Sequence, residues 1–179
     1  MRAPLPLALS LAAALAAVAA LAQRRPARPS LVGQAAPRVV VQLHDGRSLD
    51  TATLAGRPYV VDFWGPACGP CRGMVPYLNA AHRRLARAGS VALGVVSQPM
   101  GPGEHARTRR AWRIAYPTGT PLGGDPAAAY GVERLPAMFA VGRDGRVAYD
   151  DATLMRRVRL DEAVTQLLAA PAATGASGR

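Results

Sequence analysis

The sequence predicts an α/β domain: a mixed sheet covered by helices on both faces, with a β-hairpin leading in and a helical insert at its centre. Three observations predict it. Two short runs, Tyr59–Trp64 and Val91–Val96, are apolar at nearly every residue, the pattern of strands buried on both faces. Between them, Cys71 to Ala88 places Met74, Leu78, Ala81 and Leu85 at spacings of three and four with arginines opposite, so a helix connects the two strands. Further on, Ala137–Val141 and Arg146–Tyr149 flank an Asp144-Gly145 turn and read as an antiparallel hairpin.

The remaining elements follow in order. Leu7 to Ala22 is an apolar run of 16 residues, short of the ~20 that cross a bilayer. Extending it back to Ala3 takes in Pro4 and Pro6. Ala20-Leu21-Ala22 has the small-x-small form of a signal-peptidase site. Residues 1–22 are therefore expected to be a cleaved export signal or an uncleaved membrane anchor. Arginines at 2, 24, 25 and 28 are too evenly split to orient it. Residues 23–36 mix proline, arginine and small residues without periodicity and read as a linker. Arg38–Leu43 and Arg47–Leu49 form a hairpin around Asp45-Gly46. Gly89 ends the long helix. Glu104–Ile114 is a polar helix, and Asp125–Tyr130 a short one capped by Asp125 with Pro126 in its first turn. Leu160–Ala169 is a closing amphipathic helix, which sets the domain at 37–170 and a loose tail at 171–179.

Composition removes several functions. All 22 basic residues are arginine, against 11 acidic ones, for a formal charge of +11. Without a lysine, neither Schiff-base catalysis nor a P-loop is available. The arginines accompany 18 Gly, 16 Pro and long alanine runs, a compositional bias rather than a nucleic-acid footprint, and no nucleic-acid partner is expected. Those at 83, 84, 87, 107, 109, 110 and 113 read as solvated helix faces, with contact to anionic lipid or an acidic partner as the rival reading.

The two cysteines carry the chemistry. Trp64-Gly-Pro-Ala-Cys68-Gly69-Pro70-Cys71 runs off a buried strand into the long helix. A thiol at a helix N-terminus faces unpaired amide groups and the positive end of the macrodipole, so its thiolate is favoured. A second cysteine one turn deeper can reach back to it, and the pair can cycle between dithiol and disulfide. Pro70 stiffens the loop where its missing N–H is not needed. Zinc lacks ligands at any useful spacing among His44, His82 and His105, and Arg72 stands where a c-type haem needs histidine, so no metal or haem site is expected. A Cu(I) carrier using Cys68, Cys71 and Met74 remains the alternative. A peroxidatic Pro-x-x-x-Thr-x-x-Cys motif does not precede Cys68.

Asp62 is the second informative residue. A carboxylate within Val-Val-Asp-Phe-Trp is costly to bury and should have a raised pKa. Six residues before Cys68, it is placed below the cysteines to manage the proton of Cys71; the competing reading is a carboxylate reaching solvent or a backbone donor at a sheet edge. Arg72 and Arg57 are candidates for favouring the thiolate.

Asp62-Phe63-Trp64 and Cys68-Gly69-Pro70-Cys71 resemble the active-site strand and loop of thioredoxins. Leu54-Ala55-Gly56-Arg57, Ala129-Tyr130-Gly131-Val132, Leu135-Pro136, Phe139 and Asp144-Gly145-Arg146-Val147 extend the likeness over about 130 residues, to the TlpA/ResA-like thiol-disulfide oxidoreductases. The resemblance implies a thioredoxin-like fold, with Cys68 as nucleophile, Cys71 as resolving thiol and Asp62 as proton acceptor. It implies a cis-proline at Pro136 facing the cysteines, Leu135 offering its backbone to a substrate strand, and Trp64, Gly69 and Pro70 around the substrate. The residues alone are equally consistent with Pro136 as an ordinary strand entry. No cofactor is implied, since electrons pass between cysteine pairs. The implied partners are cysteine-containing exported clients, such as apocytochromes or metal-site proteins, and a membrane thiol donor. The implied location is periplasmic or otherwise extracytoplasmic, anchored to the inner membrane if the N-terminal segment is kept. Ala67 before the first cysteine, Leu135 before the proline and the missing lysine partner of the aspartate depart from the pattern; Leu135-Pro136 is also similar to accessory proteins of methylamine dehydrogenase maturation.

Overall fold

Seven strands form one sheet in the computed structural model, which describes residues 29–101, 103–151 and 157–171. They are β1 (Val40–Leu43), β2 (Ser48–Asp50), β3 (Tyr59–Trp64), β4 (Ala92–Val96), β5 (Thr118–Pro121), β6 (Ala137–Val141) and β7 (Val147–Asp151), in the order β2-β1-β5-β4-β3-β6-β7. β3, β4 and β5 run parallel, and each outer hairpin joins them by an antiparallel pairing, β1 on β5 and β6 on β3. The sequence-predicted mixed sheet and thioredoxin-like fold are thus observed. The N-terminal segment and the tail beyond 171 lie outside the described residues.

Helix α1 (Gly69–Arg87) buries Cys71, Met74, Val75, Leu78, Ala81 and Leu85, the stripe its spacing predicts. It stops where Gly89 takes φ +71° and the Ser90 N–H reaches Leu85 O. Helix α2 (Glu104–Trp112) ends two residues before the expected Ile114, because Arg113 turns left-handed at φ +57°. Helix α3 (Pro126–Ala129) starts on the expected Asp125 cap, and helix α4 (Arg157–Ala169) closes the chain.

Alternation along β3 separates two cores. Val60 and Trp64 join Cys71, Met74, Leu78, Leu85, Leu160 and Val164 beneath α1 and α4, whereas Val61 and Phe63 pack with Val41, Leu93, Val95, Tyr130 and Phe139 on the other face. Asp62 shares the parity of Val60 and Trp64 and so points toward α1.

The structure departs from the sequence expectation in two segments. β5 was not expected, since Thr-Gly-Thr-Pro after Pro117 has no apolar alternation; it joins the first hairpin to the sheet by pairing Leu43 with Gly119 and Val95 with Gly119. Residues 31–36, placed by composition in a linker, run beside β7: Gly33 N–H donates to Val147 O, Val147 N–H to Gln34 O, and Leu31 N–H to Asp150. Backbone pairing of this kind needs no apolar period. Of the arginines read as solvated, Arg84 binds Asp161 at 2.6 Å and Arg109 turns inward to Tyr116 O and Thr118.

Candidate active site

Cys68 is the N-cap of α1, and its Sγ accepts the Cys71 N–H at 3.1 Å. Gly69 and Pro70 form the first, exposed turn, so the two cysteines sit one turn apart, their Cα atoms 5.3 Å apart, and their sulfurs are joined as a disulfide. Both are buried, but unequally placed. Cys68 lines a cleft of about 580 Å³ together with Ala67, Pro70, Gln98, Arg134 and Leu135; Cys71 lies behind it in the core. Leu135 presents the far wall of this cleft, and its peptide bond to the half-buried Pro136 is cis.

Trp64 does not stand on the cleft. It is 1% exposed, with its indole 5.9 Å from the His105 ring and 5.6 Å from that of Trp112. Its parity on β3 turns it under α2, so it supports the cysteine loop from within rather than walling the substrate site. Arg57 is also elsewhere: it donates to Gly89 O at the C-terminal end of α1 and to Thr53 O, and so has no path to the thiols.

Asp62 is 1% exposed on the central strand, between Gly94 of β4 and Met138 of β6, which excludes the sheet-edge reading. Burial pushes its carboxyl up to about 7, against the pull of a hydrogen bond from the Tyr116 hydroxyl to Oδ2 at 3.1 Å. Oδ1 is buried without a hydrogen-bond partner among the described residues. The carboxyl therefore changes charge near neutrality on the face that carries Cys71, which suits it to take and return one proton.

Sequence reasoning missed the residues that shape this pocket. Gly94 has no side chain where a Cβ would sit 2.9 Å from Trp64 Nε1 and 3.0 Å from Tyr116 Cε2, so both rings close over the strand. Gln98 fills the space beside Gly65 and accepts the Ala67 N–H at 3.2 Å, bracing the loop before Cys68. His105 bonds Thr118 Oγ1 at 2.7 Å, and burial followed by Arg109 brings its pKa down to about 4, so it is neutral at physiological pH. A glycine inside an otherwise apolar strand was the one available signal, at Gly94.

The chain is similar to known proteins. The thiol-disulfide oxidoreductase ResA of Bacillus thuringiensis subsp. konkukian is 24% identical over 131 residues, covering 73% of this chain and 75% of its own. A thiol:disulfide interchange protein of the thioredoxin family from Chlorobium tepidum superposes with a TM-score of 0.65 at 23% identity, over 80% of this chain and 99% of that one. A secreted Mycobacterium tuberculosis disulfide oxidoreductase homologous to DsbE of E. coli gives 0.61 at 22% identity, over 72% and 95%. These two structures share the fold. Residues 32–150 match the AhpC/TSA family model, and the chain belongs to that family as a thioredoxin-like thiol-disulfide oxidoreductase similar to ResA.

Proposed function

We propose that this protein reduces disulfides of exported client proteins, with Cys68 as nucleophile and Cys71 as resolving thiol. The observation that carries the reading is the asymmetry of the pair: the cleft reaches Cys68 and stops there, while Cys71 lies behind it on the face shared with Asp62.

The Cys68 thiolate attacks a client disulfide, forming a mixed disulfide and releasing one client sulfur. Cys71 gives its proton to Asp62 and attacks Cys68 Sγ, and the second client sulfur leaves with the bonding electrons. The client gains two electrons; its two thiolates take up the proton that Asp62 releases and one from solvent, and the protein is left with the Cys68–Cys71 disulfide seen in the structure. Gly69 and Pro70 hold the exposed approach to Cys68, and Leu135 and Pro136 position the client strand opposite it. A membrane thiol donor returns the pair to the dithiol. Residues 1–22 deliver the domain across the membrane, as signal or anchor, and the likeness to a secreted relative supports that placement.

The test is the equilibrium redox potential of the Cys68–Cys71 pair against glutathione or dithiothreitol. A value near or below about −270 mV is expected of a reductant, and one near about −120 mV would make the protein a disulfide donor instead. A pair that does not oxidise reversibly but binds Cu(I) tightly would replace this reading with copper carriage.

A further inference from the structure

We infer that Tyr116 is the positioning residue of the proton-transfer site: its hydroxyl occupies Oδ2 of Asp62 and leaves Oδ1 as the single atom that takes the Cys71 proton. The inference deepens the proposed exchange reaction and rests on it.

Tyr116 is fixed from three sides. Its hydroxyl donates to Asp62 Oδ2 at 3.1 Å. Its backbone carbonyl accepts from Arg109 at 2.7 Å, and the same guanidinium nitrogen donates to Thr118 Oγ1 at 2.8 Å. Its ring lies over the vacancy that Gly94 leaves. At 1% exposure it exchanges no hydrogen bond with bulk water, so the hydroxyl has one task.

Other elements leave that task to Tyr116. β4 and β6 set Gly94 and Met138 beside Asp62, and α4 contributes Leu160, Ala163 and Val164 to this core. From α2, His105 bonds Thr118 and Arg109 bonds Thr118 and the Tyr116 carbonyl, so neither binds the carboxyl. From α1, Cys68 and Cys71 join this core, and His82 accepts the Ala92 N–H at 3.3 Å. Beyond Met138, Asp151 of β7 accepts from the Tyr149 hydroxyl at 2.8 Å, so these groups too are engaged away from the Asp62 carboxyl. A carboxyl with one oxygen held by a neutral donor cannot rotate to share its proton between both, and the free oxygen becomes the acceptor. The donor also favours the carboxylate, opposing the burial that favours the acid. Tyr116 thus sets the pH at which Asp62 can accept.

The experiment compares the full chain with Tyr116→Phe, Asp62→Asn and the double variant, following the rate of disulfide exchange with glutathione disulfide against pH. Tyr116→Phe should raise the pH midpoint by about one unit or more, since a lost hydrogen bond to a charged group is worth roughly that shift. It should do nothing further in the Asp62→Asn background. A Tyr116→Phe variant that melts earlier with an unmoved midpoint, or that shifts the profile equally without Asp62, would overturn the inference. If Tyr116→Phe does not fold, fluorotyrosine at 116, a stronger donor, must move the midpoint down, and an unchanged midpoint counts against the inference. If the wild type shows no exchange, the proposed function fails separately. The Asp62 carboxyl titration followed by carbon NMR then still decides whether Tyr116 sets its pKa: an upward move in Tyr116→Phe supports the inference, and none overturns it.

Discussion

The Cys71 amide donates to the sulfur of Cys68 across the first turn of α1, so the helix caps itself with the atom proposed to perform the exchange. Once the disulfide is opened, that amide and the macrodipole remain to stabilise a thiolate on Cys68. Cys68 should then titrate below the ordinary ~8.5 of a free thiol. Thiolate absorbance against pH in the Cys71→Ser variant measures it. The same variant should accumulate a mixed disulfide with a client peptide, whereas Cys68→Ser should form none. A mixed disulfide trapped on Cys71 would reverse the assigned roles.

Asp62 makes stability depend on pH with a definite sign. Its carboxyl ionises near the ordinary 3.8 in the unfolded chain but only at about 7 when folded. Below 3.8 both states hold the proton and no penalty exists; between 3.8 and 7 the unfolded state ionises first, and folding loses stability as pH rises. Fully developed, the loss is on the order of 4 kcal/mol at most. Asp62→Asn removes it. Asparagine carries its own cost, a buried amide N–H₂ without a partner, of roughly 1–3 kcal/mol, but that cost does not vary with pH. The oxidised variant, measured against wild type by urea unfolding, should therefore gain relative stability between pH 4 and pH 8. A difference that stays flat across this range would mean that Asp62 is ionised in the folded state throughout.

What was legible in the sequence depended on how local the signal is. β3 and β4 announce themselves because burial on both faces demands continuous apolar runs, and Asp62 stands out because it interrupts one. The cysteine pair is legible because capping and spacing lie within four residues. β5 is not, since its four residues Thr-Gly-Thr-Pro carry no period, and its place is set by neighbours already in position. Tyr116 is hidden for the same reason. It meets Asp62 across 54 positions of sequence, and only after the segment entering β5 has packed against β4. Trp64 was expected on the substrate wall; it lies on the cysteine face of β3 but is covered there by His105 and Trp112 of α2, a contact between segments distant in sequence.

Gly119 tests how the first hairpin is held. A Cβ there would lie 2.5 Å from the carbonyl oxygen of Gln42, which is backbone in the paired strand β1 and has no flexible end to yield. Gly119→Ala should cost about 1–3 kcal/mol by overpacking. Amide exchange should quicken in β1 and β2, while β3 and β6 stay protected, because the hairpin joins the sheet through β5. Uniform loss of protection would show that the hairpin and the central strands unfold as one unit.

Gln98 separates the support of the cysteine loop from its chemistry. Its side chain fills the space beside Gly65, and its Oε1 accepts the Ala67 N–H at 3.2 Å, yet it also lines the cleft beside Cys68. Gln98→Ala frees one partly exposed backbone N–H that water can satisfy, so the stability cost should stay at or below about 1 kcal/mol. The thiol keeps its helix cap and Asp62 keeps Tyr116, so the rate with a small disulfide such as glutathione disulfide should be unchanged. A folded client differs, because it must dock against the wall that Ala67 and Gln98 form together. Its KM should rise several-fold with little change in kcat, the mark of a lost positioning contact rather than a lost chemical group. Equal slowing with both substrates would instead place Gln98 in the exchange step itself.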